Sequence, residues 1–325
     1  MTAAGAPSLR FFTAPTSDGP PPAAELAAGL LAARACIAPK FLYDPLGSAL
    51  FVAITELDEY YPTRTEAALM ADHASAIATA VDAALPRPFA LVDLGAGNGA
   101  KAERLFASLR PSRYVAVDIA AGFLREALHA LHRRHPGLPM AGVATDFSQR
   151  LELPPGVHDG PSLIFYPGSS IGNFGPDEAL RLLQQARQVS RGGALLIGAD
   201  LVKPGAVLQA AYDDALGVTA AFNLNLLRHA NRVLGSDFAP ADWAHVALYD
   251  EAASRIEMHL QARRRCTVRW PGHERRFDAG ERIHTEDSYK WTPEAFGALL
   301  QRAGWREVQA WFDPRRWFGV FLARA

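Results

Sequence analysis

Apolar residues recur along this chain in two rhythms. Between residues 89 and 200, short and nearly unbroken apolar runs alternate with amphipathic stretches. FALVDLG (89–95), RYVAVD (113–118), MAGVATD (140–146), SLIFYPG (162–168) and ALLIGAD (194–200) predict strands. Between them KAERLFASL, AAGFLREALHALHRRH and PDEALRLLQQARQVS predict helices. Strands that alternate with helices pair in parallel, and strands without polar positions are covered on both faces. The fold class is therefore α/β, with a doubly wound sheet.

The rhythm differs on either side. Residues 1–22 are rich in Ala, Pro, Ser and Gly and predict a flexible tail. AAELAAGLLAARAC (23–36) has the composition of a helix. In KFLYDPLGSALFVAITELDEYYP, Pro and Gly interrupt one short helix, and Thr63-Arg-Thr-Glu66 forms a capping box that predicts a helix through about residue 84. After Asp200 the alternation stops. Residues 205–247 read as helical and residues 254–285 as antiparallel strands. PEAFGALLQRAG is a further helix, and WREVQAWFDPRRWFGVFLARA reads as two strands around an Asp-Pro turn. Residues 201–289 thus read as an insertion into a doubly wound core that closes with the last two strands.

Composition narrows the classes of function. Of 325 residues, 49% are hydrophobic and 21% charged, enough apolar material for a real core. Lys and Arg number 33 against 34 Asp and Glu, so no positive surplus favours nucleic acid or an anionic membrane. No apolar run approaches the roughly 20 residues that span a bilayer. The N-terminus lacks the basic start and apolar stretch of a signal peptide. The two cysteines, Cys36 and Cys266, exclude a disulfide framework and leave one bridge or two reduced thiols as alternatives. The ten histidines show no metal-ligand spacing, so no metal is assigned. A soluble, cytoplasmic, monomeric enzyme acting on a small molecule is expected, with neither nucleic acid nor membrane as partner.

The densest chemical signal is Asp93-Leu-Gly95-Ala-Gly97-Asn-Gly99, between the first strand and the first helix of the alternating region. Glycines there allow a tight turn and close approach of a ligand to the backbone. Asp118 ends the second strand, where an acid accepts ribose hydroxyls, and Asp146-Phe147 follow the third. The GxGxG spacing after an acid resembles the first motif of class I S-adenosylmethionine-dependent methyltransferases; a dinucleotide fold is the competing reading. Lys101 begins the next helix and reads equally as a solvated lysine or as a partner for a carboxylate beside a helix N-terminus. Asn173 lies after the fourth strand, on the ligand side of such a sheet, and can both donate and accept. A turn asparagine is its plainer reading. Tyr43, Tyr60, Tyr212, Glu286 and Ser288 read, from the residues alone, as core or surface positions.

From about residue 38 onward the chain resembles the histidine Nα-methyltransferases of ergothioneine biosynthesis. The resemblance is carried by PKFLYDPLGSALFVAITELDEYYPTRTEA, LVDLGAGNGAKAERL, VDIAAGFLREAL, PGSSIGNF, GADLVKPG, AYDDALGVTAAFNLNLL, RIEMHL and GERIHTEDSYKW. It implies a Rossmann-like methyltransferase core of residues 65–200 and 290–325 with a discontinuous α+β substrate domain of residues 23–64 and 201–289, and three successive methyl transfers from S-adenosylmethionine to the α-amino group of L-histidine. By motif, the cofactor positions fall on Gly95, Gly97, Lys101, Asp118, Asp146 and Phe147. The histidine positions fall on Tyr60, Asn173, Tyr212, Met258, Glu286 and Ser288, with Tyr43 and Asn173 nearest the reacting amine. Tyr166-Pro167-Gly168-Ser169, Asp287 and Tyr289 depart from the family pattern. The alternative activity is N-methylation of another aromatic amino acid, of the tryptophan type, on the same fold; Glu286, an acceptor for an imidazole N–H, favours histidine.

Overall fold

The computed structural model describes residues 8–13 and 20–325. Elements are numbered along the whole chain. Among the described residues they fall into two compact units, one of residues 8–13, 64–201 and 291–325, the other of residues 20–63 and 202–290.

The first unit is built on a sheet of strand order β1-β4-β3-β2-β5-β6-β13-β12. Its strands are β1 (Leu9–Thr13), β2 (Ala90–Leu94), β3 (Arg113–Asp118), β4 (Met140–Ala144), β5 (Ser162–Tyr166), β6 (Ala194–Asp200), β12 (Arg306–Phe312) and β13 (Phe318–Arg324). Strands β1 to β6 run parallel, and β13 is antiparallel to β6. Helices α3 (Tyr61–Asp72), α4 (Ala74–Ala84), α5 (Ala100–Leu109), α6 (Ala121–Arg134), α7 (Pro176–Val189) and α10 (Pro293–Arg302) accompany the sheet. Successive residues of one strand enter opposite cores: Leu91 and Phe165 pack on one side, Val92 and Ile164 on the other. This is the physical reason that these strands carry no polar alternation.

The second unit contains helices α1 (Pro22–Leu31), α2 (Pro45–Thr55), α8 (Gly205–Tyr212) and α9 (Val218–Leu234). Strands β7 (Trp243–Asp250), β8 (Arg255–Ala262) and β11 (Arg282–Tyr289) form an antiparallel sheet of order β11-β8-β7, and β9 (Cys266–Trp270) pairs with β10 (His273–Phe277). Asp44 fastens the start of α2: its Oδ1 accepts the Gly47 N–H at 2.7 Å and the Asn225 side-chain amide at 2.7 Å, and Arg232 pairs with its other oxygen. Gly47 is required here, because a Cβ would lie 1.8 Å from the Leu42 carbonyl oxygen.

Four expectations are corrected. Residues 9–13, assigned to a flexible tail, form β1 in parallel register with β4. The apolar run LRFFT is itself an edge strand, its Phe11 covered by Arg125 and His129, and the Pro- and Gly-rich flanks conceal it. The rest of that tail, apart from Ser8 and Pro20 to Pro22, lies outside the described residues. The helix expected over 23–36 ends at Leu31. The predicted capping box is absent: the helix already starts at Tyr61, and both Glu66 oxygens bind elsewhere. The helix expected to reach residue 247 stops at a left-handed Gly235 (φ 70°), and β7 follows. Cys36 and Cys266 are unbridged.

Candidate functional site

In the first unit the glycine loop joins β2 to α5. Gly95, Gly97 and Gly99 have φ of 68°, 55° and 72°, the left-handed region that a side chain disfavours. A Cβ on Gly97 would meet nothing within 4 Å, so the backbone there is open to a ligand. The loop is held from beneath. Gly95 and Ala96 N–H groups donate to the Val117 carbonyl. The Asp118 carboxylate then accepts the Gly97 N–H at 2.9 Å through Oδ2 and the Ala120 N–H at 2.9 Å through Oδ1. Each oxygen keeps a second lone pair for ligand hydroxyls. Phe147 lies edge-on to Tyr166, centroids 5.9 Å apart, with its ring 3.9 Å from where a Gly95 Cβ would sit. Asp146 accepts the Ser148 N–H at 3.1 Å.

Two features of this unit are not visible from the motif. Asp93 is fully buried under the loop; it accepts the Tyr114 hydroxyl at 2.8 Å, and its Oδ1 has no partner. Burial pushes this carboxyl up to about 7, against the pull of Tyr114 and Lys101. Lys101 is paired with Glu66, Nζ to Oε2 2.6 Å, and the other Glu66 oxygen accepts the Gly168 N–H at 2.7 Å. The lysine expected to meet a ligand carboxylate thus already has a protein carboxylate. Asn173 ends a short 3-10 turn, residues Ser170–Asn173. Before that turn, Gly168 and Ser169 are left-handed and the Ser169 hydroxyl accepts the Asp200 N–H at 2.8 Å.

The second unit brings together most of the residues expected for the substrate. Tyr43 packs edge-on against Phe51 and Phe222, centroids 5.5 and 5.6 Å away. Tyr60 lies 6.2 Å from Phe51 and 6.2 Å from Tyr212. Beside this aromatic set, Tyr212 and Ser288 share a hydrogen bond of 2.7 Å. The Lys290 ammonium donates to Ser288 at 2.7 Å and to Tyr212 at 3.1 Å. Met258 faces the same side of β8 as its partner Glu286 faces on β11. Burial pushes the Glu286 carboxyl up to about 8, with Lys290 lowering it and Asp287 raising it.

A β-bulge sets which residues face inward. His284 pairs with His259 and Glu286 with Met258, so Thr285 is an extra residue on β11. Strict alternation from Ile283 would send Glu286 to the outer face with His284. The bulge turns Glu286 and Ser288 inward, and the Thr285 hydroxyl bonds the Met258 carbonyl at 3.0 Å. Phe51, Phe222 and Lys290 were missed in the sequence. For Lys290 the signal is the spacing Glu286-x-Ser288-x-Lys290, which puts all three on one face of an extended chain.

A family model described as histidine-specific methyltransferase, S-adenosylmethionine-dependent, matches residues 22–325. The chain belongs to this family. It is 40% identical over 306 residues to a histidine N-alpha-methyltransferase of Mycolicibacterium smegmatis, covering 92% of this chain and 93% of that one. It is 40% identical over 303 residues to the protein of the same name from Mycobacterium tuberculosis, covering 91% and 92%. Ergothioneine biosynthesis protein 1 of Neurospora crassa is 31% identical over 282 residues, 83% of this chain and 31% of that longer one. The methyl donor of this histidine-specific methyltransferase is S-adenosylmethionine. The residues present fit that donor: an open left-handed glycine loop, and beside it an acid fixed by two backbone N–H groups. Among the described residues no group of His, Cys, Asp and Glu is arranged to hold a metal ion.

Proposed function

We propose that this methyltransferase transfers three methyl groups in turn to the α-amino group of L-histidine, giving Nα-trimethylhistidine (hercynine), the first step of ergothioneine biosynthesis. The observation that carries the substrate assignment is Glu286, a buried carboxyl two residues before Ser288, whose hydroxyl bonds Tyr212 of the aromatic set. It accepts an imidazole N–H, which an apolar aromatic ring in the same place could not donate. Ser288 and Tyr60 lie beside the imidazole, Met258 packs against it, and Tyr212 holds the carboxylate.

S-adenosylmethionine supplies an already activated methyl on a sulfonium; Asp118, the glycine loop, Asp146 and Phe147 hold it. The chain's own task is to present a neutral amine in line. Asn173 orients the amine, because its amide both donates and accepts. Tyr43 passes the amine's protons outward. The rings of Phe51 and Phe222 give added methyl groups apolar surface, at roughly 0.8 kcal/mol per buried carbon, so partly methylated intermediates are retained. The enzyme works in the cytoplasm as a monomer; among the described residues no helix is long and apolar enough to cross a membrane.

The test is mass spectrometry of products after incubation with S-adenosylmethionine and each of the twenty amino acids, for the wild type and Glu286→Ala. Histidine alone is expected to gain up to three methyl groups on its α-nitrogen. Glu286→Ala should lower kcat/KM for histidine about tenfold or more and raise the share of apolar aromatic substrates. Preferential methylation of tryptophan by the wild type, or of the histidine ring, would overturn the assignment.

A further inference from the structure

Among the described residues only two lysine or arginine side chains are buried, Lys203 and Lys290, both in the second unit. A buried cation costs free energy unless something anionic or strongly accepting compensates it. Lys203 is spent on Tyr61, donating to its hydroxyl at 2.8 Å and lying 4.5 Å from its ring centre. Lys290 is different. It is 3% exposed, its backbone N–H is tied to the Ser254 carbonyl at 2.7 Å, and its ammonium meets two hydroxyls of the substrate site. It also lies 4.8 Å from the centre of the Tyr212 ring.

Two ammonium protons go to Ser288 and Tyr212. Donation into the phenol oxygen withdraws electron density from it and makes its own O–H a stronger donor. An amino acid at neutral pH carries a carboxylate, and burying that group needs a positive partner. We propose that Lys290 is the cation that reads the substrate's carboxylate, acting as a positioning residue through the phenol of Tyr212. This rests on the assignment of Tyr212 to the carboxylate, and adds a charge where that assignment has only a hydroxyl. Removing the charge costs the carboxylate a charge-assisted interaction and leaves the rest of the amino acid's contacts in place.

The experiment compares L-histidine with L-histidinamide, whose carboxamide has the same shape without the charge. KM and kcat are measured for the wild type, Lys290→Gln, Lys290→Arg and Tyr212→Phe, with calorimetric affinity for S-adenosylmethionine reporting that each variant is folded. Glutamine keeps donors for the two hydroxyls but carries no charge. Lys290→Gln is expected to raise KM for histidine about ten- to hundredfold, with a smaller change in kcat, and to move KM for histidinamide by less than about threefold. Lys290→Arg should keep the preference for histidine; its loss there overturns the proposal even where the glutamine variant does not fold. Equal effects of Lys290→Gln on both substrates make Lys290 merely structural and also overturn it. If only Tyr212→Phe loses the preference, Lys290 is wrong and Tyr212 stands; if neither variant loses it, the carboxylate assignment falls with the proposal.

Discussion

At Asp118 one carboxylate holds two backbone donors, from Gly97 on the glycine loop and from Ala120 at the start of α6. The group proposed to accept the ligand's hydroxyls is therefore the one that holds the loop's shape. Asp118→Asn cannot serve both, since its amide nitrogen would face a backbone N–H. It should weaken S-adenosylmethionine binding by about 1–3 kcal/mol, measured by titration calorimetry, with histidine affinity changed far less. Unchanged cofactor affinity would remove Asp118 from the site. The place of Asp118 was legible because it ends the strand that follows the glycine loop and its helix. Lys290 was not, because a lysine after a strand reads as solvated until the Tyr212 and Ser288 hydroxyls are found around it.

Among the elements, α3 is tied to the sheet by Glu66. Its carboxylate spans the Lys101 ammonium, in the first turn of α5, and the Gly168 N–H, in the connection after β5. Gly198 on β6 makes room for it: a Cβ there would lie 2.2 Å from Glu66 Oε1 and 2.9 Å from the Phe318 ring. Gly198→Ala should therefore displace Glu66 and destabilise the first unit by about 2–3 kcal/mol, seen as a lower denaturant midpoint. Glu66→Gln, which retains an acceptor for Gly168, should cost less. A silent Gly198→Ala would mean that Glu66 is not held as described. Sequence spacing suggested a capping box for Glu66 because Thr63 stands three residues before it. The local pattern lost to a tertiary one: a helix that begins at Tyr61 has no use for a cap at Thr63. The bulge at Thr285 escaped for a similar reason, since period-two reading has no signal for one extra residue.

At the scale of the molecule, the alternating strands and helices of the first unit were legible because burial on both faces leaves an unbroken apolar run. The edge strand β1 and the strand β7 were hidden by flanking Pro and Gly and by a preceding long helix. The expected breaks at 64/65, 200/201 and 289/290 compare with observed breaks at 63/64, 201/202 and 290/291. Each unit carries one buried carboxyl with a raised pKa, Asp93 at about 7 and Glu286 at about 8. Both keep their proton in the folded chain at pH values where the unfolded chain has lost it. The folded state then binds more protons, so stability falls as pH rises from the ordinary carboxylate range through about 8. Below about pH 6.5 this is opposed by His158, His245 and His259, whose burial holds them neutral and makes acid destabilising. The favourable carboxylates Glu103, Asp214 and Glu257 have exerted their full effect by about pH 5. From pH 6.5 to 8 the two buried acids act unopposed, and stability should drop by on the order of 2 kcal/mol. Scanning calorimetry across that interval should show Tm falling. Glu286→Gln should remove most of the fall for the second unit, and Asp93→Asn the smaller part for the first. A Tm that rises between pH 6.5 and 8 would mean that these carboxyls are ionised in the folded chain.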